Sequence, residues 1–221
     1  MVEVADKPIL HWQLEALEAI GISRVTVACR KAQLQPIDDY CRTIFTVGAF
    51  GRASVEEEPL GTGGAIYNAI MNSTGMFSVD APFLVLNGDI IPGPWLKRLA
   101  EWPQGKGLAA IGVRWQASSG PYGAVDIHFD GRIRGFREPS EESKRTLIGD
   151  SGYINTGVYW MDPAIFDEID FSATIPCSLE RDIFPVLAEH GELWAKNCVG
   201  PWCAVDTPAD VLRVSRELAG Q

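Results

Sequence analysis

Two aspartates stand where a carboxylate could hold a metal ion. Asp89 closes the tripeptide Asn87-Gly88-Asp89, directly after the fully apolar run Phe83–Leu86. A carboxylate at the carboxyl end of a buried strand is where an α/β protein can hold a divalent cation. Magnesium wants hard oxygen ligands and takes only one or two from protein, the rest coming from phosphate and water. Asp206 lies in Trp202-Cys203-Ala204-Val205-Asp206-Thr207-Pro208 and could serve as the second carboxylate. Each has a plainer role open to it: an Asx turn for Asp89, and a bond to the free N–H groups of the next helix for Asp206.

Two further groups combine small and polar residues. The stretch Glu58-Pro59-Leu60-Gly61-Thr62-Gly63-Gly64 permits close backbone approach to a ligand at the start of a helix, or is simply a glycine turn. It is not a phosphate loop of the Gly-Lys-Ser/Thr type. Gly123, Glu138, Asn155 and Thr156 cluster around a hairpin and would suit sugar hydroxyls. Glu138 could equally be a solvated loop charge, and Asn155 a turn residue. The three histidines are scattered and form no nucleophilic triad.

The elements that must position these residues alternate between strand and helix. A helix is expected from Asp6-Lys7-Pro8, with Leu10, Leu14 and Leu17 at helical spacing and Gly21 as its stop. A strand follows over Arg24–Cys29, then a helix around Ala32–Thr43 that contains Pro36, a short strand near Ser54, and a helix over Gly63–Met71. Phe83–Leu86 is apolar throughout, as a strand buried on both faces of a parallel sheet would be. After a helix near Pro94 and a strand at Leu108–Trp115, Asp130-Gly131 joins two alternating segments and suits a type I′ turn. Tyr153–Met161 and Trp194–Cys198 are further strands. Thr207-Pro208-Ala209-Asp210 is a capped helix start.

This order predicts an α/β fold: a doubly wound, mostly parallel Rossmann-like sheet carrying an antiparallel, β-rich insertion. Residues 1–221 read as one domain. Ligands of such sheets bind beyond the carboxyl ends of the strands, where the candidate residues fall.

The net charge of −10 argues against nucleic acid as a partner, because that binding needs many Lys and Arg residues against phosphates. Five cysteines without Cys-x-x-Cys spacing argue against a disulfide framework or zinc cluster. No apolar run reaches membrane-spanning length. With no signal peptide in view, a cytoplasmic protein is expected, and a homo-oligomer is compatible with it.

Taken in order, the segments VADKPILHWQLEALEAIGI, EEEPLGTGGAI, FLVLNGD, YGAVDIHFDGRIRGF, INTGVYWMDP, SLERDIFPVLAEHG and WCAVDTPADVL resemble the sugar-1-phosphate nucleotidylyltransferase family. The likeness is to guanylyltransferases of the mannose-1-phosphate and D-glycero-manno-heptose 1-phosphate type. It implies transfer of a nucleotidyl group from an NTP, GTP by this branch, to a sugar 1-phosphate, with pyrophosphate released. It also implies Mg²⁺ on Asp89 and Asp206. Leu60 and Gly61 would lie at the nucleobase and Gly88 at the ribose, with Thr62 and Asn87 also at the nucleotide, and Gly123, Glu138, Asn155 and Thr156 at the sugar; about 1–115 would then be a nucleotide-binding half and about 116–221 a sugar-binding half.

Three departures qualify the resemblance. The family's opening strand, its Gly-x-Gly-Thr-Arg loop and the Lys after it are missing, so about 25 further residues are expected upstream, the length of a strand, loop and short turn. Without that strand, two buried strand edges would be unpaired. The final motif carries Ala204 where the guanylyl branch has an aspartate. It resembles instead the Val-Asp-Thr-Pro pattern of some cytidylyltransferases. Glu138-Pro139 lacks the usual intervening Lys, leaving Lys144 as a candidate for the sugar phosphate. The rival reading is a catalytically silent homologue that binds sugar nucleotide or regulates a partner.

Overall fold

Along the chain, the computed structural model describes residues 1–44, 50–71, 81–117, 124–137, 151–170 and 176–219. Its strands are β1 (Glu3–Val4), β2 (Lys7–Pro8), β3 (Arg24–Arg30), β4 (Phe50–Glu56), β5 (Phe83–Leu86), β6 (Ile90–Pro92), β7 (Ala109–Gln116), β8 (Ala124–Ile127), β9 (Ile133–Arg137), β10 (Gly152–Met161), β11 (Leu193–Asn197) and β12 (Trp202–Ala204). Its helices are α1 (Ile9–Glu18), α2 (Leu34–Ile44), α3 (Gly61–Met71), α4 (Leu96–Ala100), α5 (Ile165–Glu168), α6 (Phe184–Glu189) and α7 (Pro208–Ala219).

β10 is the spine of the central mixed sheet. It pairs along one side with β7, and on the other with β8 through Tyr153–Ile154 and with β5 through Val158–Met161. These pairings are antiparallel, while β11 joins β7 in parallel and β9 continues from β8. Side chains alternate across a strand, so neighbouring residues of β7 and β10 serve opposite layers. Ala109, Ile111, Tyr159 and Met161 pack with Leu179, Ile183, Phe184 and Leu187 on one face. Ala110, Val158 and Trp160 pack with Trp95, Leu96 and Leu99 on the other. Helices thus cover both faces, as in the expected α/β architecture.

Several local expectations are revised. Ala5 and Asp6 take positive φ (48° and 61°) and turn the β1–β2 hairpin, so α1 starts from Pro8 and Asp6 is not its cap. Pro36 is tolerated because it falls in the first turn of α2, behind a 3₁₀ turn at Lys31–Gln33. At the β8–β9 turn only Gly131 has positive φ (95°), which excludes a type I′ turn. Instead Gly131 N–H bonds His128 O at 2.9 Å and His128 N–H bonds Arg132 O at 2.8 Å, a wider turn closed by glycine.

β5 also departs from the expected environment. It lies antiparallel to β10 and is only half-buried. β3 and β4 form their own parallel pair. Among the described residues no strand pairs with the second edge of β3 or of β5. Residues of both strands line one cavity of about 850 Å³, together with Leu10, Leu14 and Leu17 of α1 and Ile66 and Ile70 of α3. All five cysteines are free and buried. No helix among the described residues is long and apolar enough to cross a membrane.

The last helix is capped reciprocally. Asp210 N–H donates to Thr207 Oγ1 at 3.3 Å, and Thr207 N–H donates to Asp210 Oδ2 at 3.0 Å. Thr207→Ala should cost about 1 kcal/mol, read as a fall of roughly 2–4 °C in Tm for a domain of this size.

Candidate active site

Asp89 and Asp206 are 117 residues apart in sequence and meet because two very short strands pair. β6 follows Asp89 and β12 precedes Asp206 by one residue. Ala204 lies opposite Ile90, and Val205 N–H donates to Asp89 O at 3.0 Å. α1 holds the turn from below. Gln13 is buried, and its Nε2 donates to both Asn87 O and Ile90 O at 2.7 Å. Because Thr207 and Asp210 supply the cap of α7, Asp206 is not needed in that role.

Burial raises the Asp89 carboxyl above its ordinary range. Its own backbone N–H offsets part of this, while the charge and the adjoining carboxyl of Asp206 raise it further. Asp89 Oδ1 is buried without a hydrogen-bond partner among the described residues. A lone buried acceptor beside a second carboxylate is unfavourable by itself, and a cation bridging the two would relieve it. Among the described residues no third His, Cys, Asp or Glu joins them. Two carboxylates suit Mg²⁺, which keeps its other positions for phosphate and water.

The turn at Leu60–Gly64 is shaped by protein contact. Cys177 N–H donates to Leu60 O at 2.8 Å, Leu60 N–H donates to Glu56 Oε2 at 3.1 Å, and Gly63 N–H donates to Cys177 O at 3.0 Å. Gly61 has φ +75°, and a Cβ there would collide with the Cys177 carbonyl. One at Gly63 would lie 2.6 Å from Cys177 Sγ. The close approach that these glycines permit is therefore to Cys177. The backbone of Leu60, expected at a base, is already engaged on both sides. Gly88 contrasts with them: it is exposed, and an added Cβ meets no atom within 4 Å.

The segment expected at the sugar forms an irregularity in β10, where the register with β7 shifts between Asn155 and Tyr159. Gly157 (φ +73°) turns its carbonyl to Asn87 N–H at 2.8 Å. Asn155 is half-buried, with Nδ2 donating to Tyr159 Oη at 2.9 Å and Oδ1 accepting from Gly157 N–H at 2.8 Å. Thr156 does not fit its expected role. Its side chain is 0 % exposed, its hydroxyl donates to Gly112 O at 2.8 Å, and its carbonyl accepts the Trp202 indole at 2.9 Å. Thr156 alternates with Ile154 and Val158, which are also fully buried. Gly123, Glu138 and Lys144 lie outside the described residues.

Two residues that position the site went unassigned in the sequence. Gln13 had a visible signal, a polar residue on the same helix face as Leu10, Leu14 and Leu17. Glu180, which accepts from Tyr159 Oη at 3.0 Å and Thr62 Oγ1 at 3.1 Å, had none beyond its place in SLERDIFP.

A strand-end turn bearing Asp89, with the Asp206 carboxylate against it ahead of α7, is an arrangement that suits phosphate chemistry in an α/β fold. Residues 1–220 match the family model for nucleotidyl transferases, and the chain belongs to that family. It is 33 % identical over 215 residues to the mannose-1-phosphate guanylyltransferase catalytic subunit beta of Drosophila pseudoobscura pseudoobscura, covering 96 % of this chain and 54 % of that one. It is 29 % identical over 212 residues to the mannose-1-phosphate guanyltransferase of Candida albicans, covering 96 % and 56 %. The chain spans about half the length of these relatives. Its fold matches that of HddC from Yersinia pseudotuberculosis, with TM-score 0.76 and 24 % identity over 99 % of this chain and 88 % of that one.

Because the Asp89 carboxyl is raised, the metal-free fold gains stability as Asp89 is protonated and loses it as pH rises through the folded value. Asp89→Asn should therefore raise metal-free Tm by roughly 2–4 °C, corresponding to about 1 kcal/mol. Divalent-ion affinity of the wild type should weaken as pH falls through that range, because protons compete for the same oxygen. Calorimetric titration and thermal melts across pH 4–8 check both. Gly61→Ala should destabilise by about 2–4 kcal/mol through strain and overlap with Cys177, measurable by urea unfolding.

Proposed function

We propose that this chain carries out nucleotidyl transfer from GTP to a sugar 1-phosphate, giving a nucleotide sugar and pyrophosphate. The observation that carries this reading is the Asp89–Asp206 pair with its unpartnered buried oxygen at the end of β5. The names of the relatives support the guanylyl group and mannose 1-phosphate as the first substrates to test.

The chemistry is set by charge. A sugar-phosphate oxygen must attack the α-phosphorus in line, although both reactants are anions. Mg²⁺ held by Asp89 and Asp206 would neutralise that repulsion and the charge building on pyrophosphate. The chain's own part is alignment. The turn after β5 is fixed by Gln13, Gly88 leaves space for a close-lying ribose, and Asn155 presents an amide whose orientation is set by Gly157 and Tyr159. Alignment of this kind can supply several kcal/mol of the barrier. No covalent intermediate is required.

A second reading is a silent homologue that binds sugar nucleotide without turnover. It is favoured by the commitment of the α3 N–H of Gly63 to Cys177, which removes one phosphate donor from the site.

The test is pyrophosphate release from each NTP against a panel of sugar 1-phosphates. Turnover is expected with GTP and lost by 100-fold or more (about 2.7 kcal/mol) in Asp89→Asn. Gly88→Ala should raise KM for the nucleotide while leaving Tm unchanged, since no atom of the described residues lies within 4 Å of the added methyl. Sugar-nucleotide binding with no turnover under any pairing would favour the silent reading. Full activity in Asp89→Asn would remove the metal assignment.

A further inference from the structure

One carboxylate gathers the hydroxyls of three segments. Glu180 sits on a π-helical turn (Leu179–Ile183), a widened geometry that often marks functional positions. Its Oε1 accepts from Tyr159 Oη at 3.0 Å, and its Oε2 accepts from Thr62 Oγ1 at 3.1 Å and Ser178 Oγ at 2.9 Å. Thr62 belongs to the glycine turn expected at the nucleotide. Tyr159 leads to the segment expected at the sugar.

The direction of this network follows from the acceptor. An ionised carboxylate only accepts, so all three hydroxyls must point their protons at it. With its proton committed, Tyr159 Oη can only accept from Asn155 Nδ2, at 2.9 Å. The Asn155 amide is then fixed in one orientation, since its Oδ1 takes the Gly157 N–H. The Asn87 side chain also borders the Tyr159 hydroxyl. On the other arm, Thr62 Oγ1 spends its proton on Glu180 and accepts Leu179 N–H at 2.8 Å. Tyr159 is 0 % exposed, so water cannot substitute for a lost member of this arm.

We infer that Glu180 is a positioning residue that couples the two substrate subsites: order imposed at Thr62 by nucleotide is transmitted through Glu180 and Tyr159 to the amide of Asn155. The inference rests on the transferase reading and deepens it. A ligand that orders one arm lowers the cost of ordering the other, which makes the two substrates bind cooperatively.

The experiment compares wild type, Glu180→Gln and Tyr159→Phe. Both substitutions keep shape, but glutamine brings donors where three protons converge, and phenylalanine removes the link. The nucleotide probe is a GTP analogue with a methylene between the α- and β-phosphorus, which cannot release pyrophosphate. Its Kd is measured alone and with saturating sugar 1-phosphate, mannose 1-phosphate first and then the others of the panel. Wild type should bind the analogue at least fivefold tighter when the sugar phosphate is present. In both variants that factor should fall to about one, each single-ligand Kd moving less than about threefold. If Glu180→Gln fails to fold, Tyr159→Phe decides alone. Variants that keep the wild-type coupling overturn the inference and leave the transferase reading standing, as does a wild type that binds both ligands independently. A wild type that binds no pairing overturns both.

Discussion

Two like charges have to be held side by side, and the rest of the site is built around that constraint. Left to themselves, Asp89 and Asp206 repel, and burial makes the charge on Asp89 costlier still. What keeps them adjacent is backbone: three register pairs between β6 and β12, and the Val205 N–H bond to the Asp89 carbonyl. Gln13 then fixes the turn from the helix side, and Trp95 ties its indole N–H to Pro201 O at 2.8 Å just ahead of β12. The repulsion between the two carboxylates is thus offset by backbone pairing, and a cation placed between them would relieve it.

The sequence was most legible where local chemistry decides the outcome. The apolar run Phe83–Leu86, the punctuation after it and the Thr207-Pro208 cap could be read directly, since each depends on residues within one turn or strand. The pairing of β6 with β12 could not, because three-residue strands carry no periodicity and their partner is over a hundred residues away. Thr156 was grouped with Asn155, but neighbouring residues of a strand point to opposite faces, and its buried hydroxyl is spent on Gly112 O. Glu180 carries no local signal that sets it apart from the other acidic residues. Only the folded chain shows three hydroxyls aimed at it.

Glycines were legible as constraints but not as to what imposes them. Gly61 and Gly88 are alike in the sequence, each beside a candidate ligand residue. In the fold, Gly61 has a left-handed backbone and the Cys177 carbonyl against it, so its requirement is internal. Gly88 faces open space. Packing among the described residues therefore does not account for the small residue there.

The position of β10 at the centre of the sheet has a consequence for how the protein comes to be folded. Its partner β5 lies about seventy residues back along the polypeptide, and β12, which pairs with β6 to complete the carboxylate pair, comes some forty residues after β10. Contacts of such long sequence separation close late and slowly, because the chain entropy they cost is repaid only when they form. During synthesis, the turn bearing Asp89 would emerge well before the segment that completes it, so the centre would be among the last parts of the molecule to assemble.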